Sequence, residues 1–564
     1  MENLLKDIRY GFRMLIKSPG FTTVAVISLA LGIGANTAIF SIISAFLFAP
    51  LPVEEPSRLV TIFTTDVKNP GNHTVSRDNF LDYRDKSDVF TDVLAYNLAA
   101  VNFSRGAGET RELTGRVVSG NYFDVLGVKP VYGRAFYPDE DKTPSTHPVV
   151  VLSYACWQRD FGGDPSIVGR TISLNRHDFT VIGIAPAGFT GTDLGAGPDI
   201  WAPMMMHNEL QPDLGLFYGK GSRRGLIFTV IGRLKPGVTL AQAQASLGNL
   251  ASQLEQEYRT DNEGRNVKLV PLLQARIDPT GTGQVVTDSI VLMSIVGIVL
   301  LIACVNVTNL LLARATRRRR EIAIRLAIGA SRARLIRQLM TESILLSLVG
   351  GTVGFLIAFW TKDIITTLVP LGFGPGGPDA GLDTRVLAFA LVISVASGVL
   401  FGLAPALQAS KPNLVSTLKG EITVYAGRRG AEGTLRKSLA VLLRNALVVL
   451  QVALSLFALI TAGLFVRSLQ KAKEVNPGFV SDNVLMIGFN MGREGYDEDR
   501  ARQFHRQLLE RVQTIPGVQS ATMARDRPFG NGFAKSVFIE GQEPSTGGRG
   551  VLVQTNVIGT RFFE

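Results

Sequence analysis

The side chains that most often do chemistry are few in this chain and badly spaced for it. Its histidines, His73, His147, His177, His207 and His505, never pair at the spacing of a zinc site. Cys156 and Cys304 make neither a disulfide framework nor a metal-ligand pattern, so they leave the redox compartment open. No G-x-S-x-G turn presents a serine nucleophile. The segment GLFYGKGS, Gly215 to Ser222, approaches a phosphate loop, but its glycines stand one residue too close. Gly221 also occupies the place of the hydroxyl that must meet magnesium. Catalysis, a metal centre and a bound cofactor are therefore not expected of this chain.

The elements around these residues explain their scarcity. The chain has 564 residues, of which 46% are hydrophobic and 19% charged, against about 25% charged in soluble domains. A mean hydropathy of +0.22 coexists with a net charge of +11, and that excess lies in residues 1 to 20, 314 to 340 and 409 to 443, each beside an apolar run. A basic face on a folded domain would suggest nucleic acid, but charge confined to short flanks does not. Uncharged runs at 18 to 53, 289 to 313, 343 to 361, 386 to 410 and 445 to 466 predict five transmembrane helices, since about 20 residues cross the hydrocarbon core. The core of the first is 21 to 48, ended by the prolines of APLPVEEP, and it is too long for a cleaved signal sequence. Basic loops stay cytoplasmic, which predicts a cytoplasmic N-terminus, with residues 50 to 285 and 470 to 564 outside.

Small residues recur every fourth position in the first span (Ala30, Gly34, Ala38), the third (Gly350, Gly354, Ala358) and the fourth (Ser394, Gly398, Gly402, Ala406). That pattern predicts close helix packing. Asn306 and Asn309, inside the second span, are expected to hydrogen-bond between helices. The segment between the first two spans is long enough for a domain. HPVVVLSYACW and TISLNRHDFTVIGIAP read as strands, and the run from Thr239 reads as a helix with Leu240, Ala243, Leu247, Leu250 and Leu254 on its apolar face. The class expected is mixed α+β.

The stretch Ala313 to Ala358 carries the most information. Arg317 to Arg320 mark the inside edge, and Ile322, Ile324, Leu326 and Ile328 suggest a short apolar helix. Gly329-Ala330-Ser331 ends it, and Ser331 caps the helix leading into the third span. An amphipathic elbow at the membrane surface follows, and composition alone reads it as an interfacial helix.

REIAIRLAIGASR, the following ESILLSLVGG, DIRYGFRMLIKSPGFTTVAVISLALGIGANTAIFSI near the start, and GNYFDVLGVKPVYGRAF resemble the FtsX-like permease family in its MacB-type branch. The resemblance spans essentially the whole chain. It implies an α-helical transmembrane bundle with an inserted mixed α+β MacB-like periplasmic core domain. It also implies a permease subunit of an ABC transporter in a bacterial inner membrane. There, a separate cytoplasmic ATPase carrying ATP and magnesium docks on the elbow and drives the external domains by mechanotransmission. The implied role is efflux of a drug, peptide or lipoprotein-type substrate; a regulatory scaffold for cell-envelope enzymes is the alternative. The candidate docking residues are Glu321, Ile322, Arg325, Ala327, Gly329, Ala330 and Ser331. Membrane lipid and a periplasmic adaptor or envelope protein are the further partners implied. The prototype of the branch carries its ATPase at its own N-terminus, whereas this chain shows a basic helix there, Leu4 to Lys17, and no Walker loop.

The resulting division is a basic amphipathic helix (1–20), the first span (21–48), the core domain (50–285) and a permease domain (289–411). The permease domain holds spans at 289–313, 339–361 and 386–410 and the elbow at 314–338. A linker with a basic helix (412–443), a fifth span (444–467) and the start of a second core domain (470–564) follow. NVIGTRFFE echoes VVSGNYFDV, placing Gly559 where Gly120 stands and Phe562 where Phe123 stands. Such a repeat predicts a chain cut within its second external domain, from a protein of about 850 residues with eight spans.

Overall fold

The computed structural model describes residues 2–47, 51–104, 110–192, 197–219, 221, 223–279, 281–328, 331–368, 384–409, 431–474, 483–527, 533–537 and 551–563. The chain divides into two compact units, one from residues 1–50, 194–196 and 283–484, the other from 51–193, 197–282 and 485–564.

The first unit is helical. Among the described residues, five helices are long and apolar enough to cross a membrane: TM1 (Pro19–Leu47), TM2 (Gln284–Arg317), TM3 (Arg332–Leu368), TM4 (Thr384–Ala409) and TM5, the stretch Asn445–Ala472 of a longer helix. A helix Glu2–Ile16 precedes TM1, and a helix Arg319–Ala327 joins TM2 to TM3. Residues 369–383, between TM3 and TM4, and most of the expected cytoplasmic linker lie outside the described residues.

Small residues set the packing. A Cβ on Gly354 would lie 2.7 Å from the Ala30 carbonyl oxygen, and one on Gly34 would lie 2.9 Å from that of Gly354. TM1 and TM3 therefore touch backbone to backbone, which leaves no room for a methyl group. Gly350 abuts Leu29, Gly398 abuts Ser347 and Ile344, and Gly402 abuts Ser343. Ala358 is buried, while Ala38 is half-buried. Amides tie the helices as well. Asn309 Nδ2 donates to Gln451 Oε1 of TM5 at 3.1 Å, and Asn36 Nδ2 of TM1 donates to the Val296 carbonyl of TM2 at 2.8 Å. Asn306, expected to act like Asn309, is half-buried with no interhelical partner among the described residues.

The second unit is built on a mixed sheet of ten strands: β1 (Leu59–Asp66), β2 (Phe90–Ser104), β3 (Thr110–Val118), β4 (Tyr132–Gly133), β5 (Val149–Leu152), β6 (Thr171–Leu174), β7 (His177–Ile184), β8 (Ile200–Pro203), β9 (Thr229–Leu234) and β10 (Arg265–Pro271). Their order is β10-β1-β9-β2-β3-β8-β5-β7-β4, and β6 pairs with β2 and β7. Alternate side chains face opposite ways along a strand, so each face receives its own core. Val60, Val93, Ala95 and Val230 join one cluster; Leu59, Leu94, Tyr96 and Ile231 join the other. Helices Arg77–Lys86 and Leu240–Glu257 cover the first face with Phe80, Tyr83, Leu247 and Leu254. The motif GNYFDVLGVKPVYGRAF supplies Tyr122, Phe123, Leu126 and Phe136 to the second.

Three local readings change. HPVVVLSYACW is not one strand, because Ser153 Oγ accepts the Cys156 N–H at 3.1 Å and starts a helix Tyr154–Phe161 after β5. TISLNRHDFTVIGIAP is a hairpin of β6 and β7 turning at Asn175 and Arg176, whose φ values of 50° and 65° suit a two-residue turn. In the helix after Thr239 the expected face is used at Ala243, Leu247, Leu250 and Leu254, but Leu240 in the first turn is exposed and Ala251, one turn after Leu247, is buried with them. Residues 485–563 add a helix Glu498–Gln513 and a hairpin of β11 (Phe533–Val537) and β12 (Val551–Thr555). Glu494 there accepts from Asn102 Nδ2 at 2.7 Å and pairs with Arg176 at 3.1 Å.

Asp141 gives this unit a pH response. Burial pushes its carboxyl up to about 6, although the backbone N–H groups of Met205 and Gly120 donate to it at 2.9 and 3.0 Å and stabilise the charged form. The folded state thus holds this proton more tightly than the unfolded chain. The associated stability is present below the unfolded value near 4 and lost as pH rises through about 6. Thermal scans of the external unit are expected to show a component that weakens between pH 4 and 6.5 and is absent from Asp141→Asn. Parallel pH curves for both proteins would refute it.

Candidate functional site

The elbow is built by four helices. TM2 runs through Arg314 to Arg317, the short helix Arg319–Ala327 carries the chain sideways, and TM3 starts at Arg332. Ser331 Oγ accepts the Arg334 N–H at 3.4 Å, as expected of its cap. The N-terminal helix Glu2–Ile16 lies against TM3, with Gly11 at the contact, where a Cβ would come within 2.8 Å of Leu345 Cδ1.

Charge holds these helices together at a buried carboxylate. Glu342 of TM3 has a side chain only 7% exposed; Arg314 lies 3.3 Å and Arg318 3.2 Å from its oxygens. Arg314 also donates to Ser18 Oγ at 2.7 Å and to the Met14 carbonyl at 3.1 Å, and its guanidinium stacks over Phe21 at 4.6 Å. Farther out, Arg337 Nε donates to Asp7 Oδ2 at 2.9 Å, and Arg325 donates to the Tyr10 hydroxyl at 3.0 Å and to Gln338 at 3.4 Å. TM2, TM3 and the N-terminal helix therefore meet as one charged joint. An ion pair this enclosed is held by geometry and hydrogen bonds rather than by net Coulomb gain.

The seven candidate docking residues do not share one environment. Ile322 is buried against the elbow's own interior at 5% exposure, and Arg325 is engaged with Tyr10, Gln338 and Glu321. Ile322 thus packs inside the elbow, while Arg325, its side chain 35% exposed, ties the elbow to the N-terminal helix. Glu321, Ala327 and Ser331 are exposed. Gly329 and Ala330 lie outside the described residues. Ile328, outside those seven, is 82% exposed, with Ile324 beside it at 43%. Its signal was a third isoleucine continuing the Ile322, Ile324 alternation immediately before Gly329, and a helix turned by 100° per residue cannot bury all three on one side.

Away from the elbow, the histidines take unrelated positions. His207 is buried and stacked on Tyr218 at 4.1 Å, and burial holds its imidazole below the ordinary range. His73 bonds the Asn69 carbonyl at 2.7 Å. Among the described residues, no three His, Cys, Asp or Glu side chains gather as a metal site.

The model of the MacB-like periplasmic core domain matches residues 22–250, and that of the FtsX-like permease C-terminal region matches residues 293–414. Macrolide export ATP-binding/permease protein MacB of Burkholderia thailandensis is 26% identical over 306 residues, 53% of this chain and 42% of that protein. Pyoverdine export ATP-binding/permease protein PvdT of Pseudomonas syringae pv. syringae is 28% identical over 311 residues, 54% of this chain and 43% of that protein. The match thus spans less than half the length of these curated relatives. Among solved structures, the periplasmic region of MacB from Actinobacillus actinomycetemcomitans aligns at 17% identity and a TM-score of 0.30, covering 39% of this chain and 92% of that one.

Proposed function

We propose that this chain, which belongs to the MacB/FtsX-like ABC permeases, is the membrane subunit through which a separate ABC ATPase works on the extracytoplasmic domains. The permeases of this family generally work with an ABC ATPase. In this reading the basic elbow is cytoplasmic, as the positive-inside rule requires, and the sheet unit is extracytoplasmic. ATP and magnesium stay on the partner. The chain's part is mechanical: it delivers outward a drug, peptide or lipoprotein-type substrate, in keeping with the export named for the relatives.

The observation that carries this reading is the exposed apolar knob of Ile328 and Ile324 on an elbow clamped to two long helices by Glu342. TM3 is one continuous helix of 37 residues, roughly 55 Å at 1.5 Å per residue. A tilt imposed on the elbow therefore reaches the far end without a flexible joint. Apolar anchors rimmed by polar groups are what a docking partner uses.

The test is capture of the cognate ATPase by the full chain in detergent. Ile328→Glu is expected to weaken capture about 10- to 100-fold, from the roughly 1.5–3 kcal/mol of burying such a side chain. The external Leu216→Glu, at a residue 89% exposed, is expected to leave it unchanged. Equal capture by Ile328→Glu and the parent would refute docking at the elbow.

A further inference from the structure

The helix Glu2–Ile16 presents four faces, and the rest of the protein covers two of them. Asp7, Gly11 and Leu15 are buried toward TM3. Next around the helix come Leu5, Ile8, Phe12 and Ile16, which are 64%, 37%, 56% and 67% exposed. Beyond them stand Lys6, Arg9, Arg13 and Lys17, all exposed. Then the surface returns to the protein at Tyr10, which meets Arg325. The order around the axis is bundle, apolar row, basic row, elbow, as 3.6 residues per turn dictates.

We propose that the two free faces bind an anionic bilayer surface, the apolar row entering the acyl region and the basic row meeting lipid phosphates. A helix lying in the plane of the membrane needs this adjacency of an apolar row and cations. Continuity favours lipid over a protein partner. TM1 begins at Pro19, three residues after this helix ends, and carries Val24, Ile27 and Leu31 outward at 53%, 53% and 59% exposure. The Leu5 to Ile16 row therefore starts where a lipid-facing surface already exists. Asp7 to Arg337 and Tyr10 to Arg325 then tie the elbow to the membrane plane. Anionic lipid thereby sets the resting position of the elbow, which deepens the proposed docking role.

The experiment uses the full chain reconstituted in vesicles, with a spin label on Phe12→Cys or Ile16→Cys. Cys156 and Cys304 are buried, so the new thiol takes the label. A label on Val452→Cys of TM5, 58% exposed, gives the lipid reference and one on Leu216→Cys of the sheet unit, 89% exposed, the water reference. In vesicles of phosphatidylcholine with phosphatidylglycerol, labels at 12 and 16 are expected to collide with oxygen more than with a water-soluble nickel chelate. Phosphatidylcholine alone, or the Lys6→Gln/Arg9→Gln/Arg13→Gln/Lys17→Gln variant, is expected to shift that ratio at least severalfold toward water. Three results would each overturn the proposal: a water-like ratio in anionic vesicles while position 452 reads lipid, immersion indifferent to lipid charge, or shielding that arises only when the ATPase is added. The last assigns the face to protein and leaves the docking reading standing.

Discussion

Replacing Glu342 by glutamine is expected to destabilise the helical unit by about 3–5 kcal/mol, because removing one member of a buried ion pair leaves the other charge without compensation. Two guanidinium groups depend on this carboxylate, Arg314 at 3.3 Å and Arg318 at 3.2 Å. Arg314 keeps Ser18, the Met14 carbonyl and the Phe21 ring as partners. Arg318, 18% exposed, has less to fall back on and little water to turn to. The measurement is thermal unfolding of the detergent-solubilised chain. The double variant Glu342→Leu/Arg318→Leu is expected to recover much of the loss, since it removes a charge with its partner. A Glu342→Gln protein as stable as the parent would mean that the joint does not hold the elbow, and the mechanical reading would lose its lever.

Gly354→Leu is the second large effect. The alanine change alone costs about 1–3 kcal/mol of overpacking, because its Cβ would sit 2.7 Å from the Ala30 carbonyl and 2.9 Å from the Gly34 nitrogen. Both contacts are backbone, so no rotamer can relieve them. Leucine must push TM1 off TM3, and the expected result is loss of the folded bundle on heating well below the parent's transition. Gly463 of TM5 is the control, with nothing within 4 Å of its would-be Cβ; Gly463→Leu is expected to be silent. Equal stability of the two leucine variants would show that TM1 and TM3 do not pack through Gly34 and Gly354.

Both predictions rest on residues of different legibility. Gly34 and Gly354 were readable because small residues four apart must share a helix face, and spacing is a local property. Their mutual contact was not readable, since nothing local says which stripe meets which. In the sequence Glu342 is one acid among 47, and only the fold shows Arg314 and Arg318 closing on it. Asn306 and Asn309 look alike in sequence, yet only Asn309 faces Gln451.

By itself the sequence determined what period and composition control: five apolar helices, a basic elbow, and between the first two helices a domain whose strands alternate. These follow from each residue's own preference for lipid, water or a pleat, so a short window suffices. Tertiary structure alone decided which side of each element is used. It turned Ile322 inward within the short helix and Ile328 outward at its end, gave Arg325 to Tyr10 more than 300 residues away, and left Leu5, Ile8, Phe12 and Ile16 uncovered. Burial and pairing depend on which distant segment arrives, and that arrival is the outcome of packing the whole unit rather than of any stretch within it.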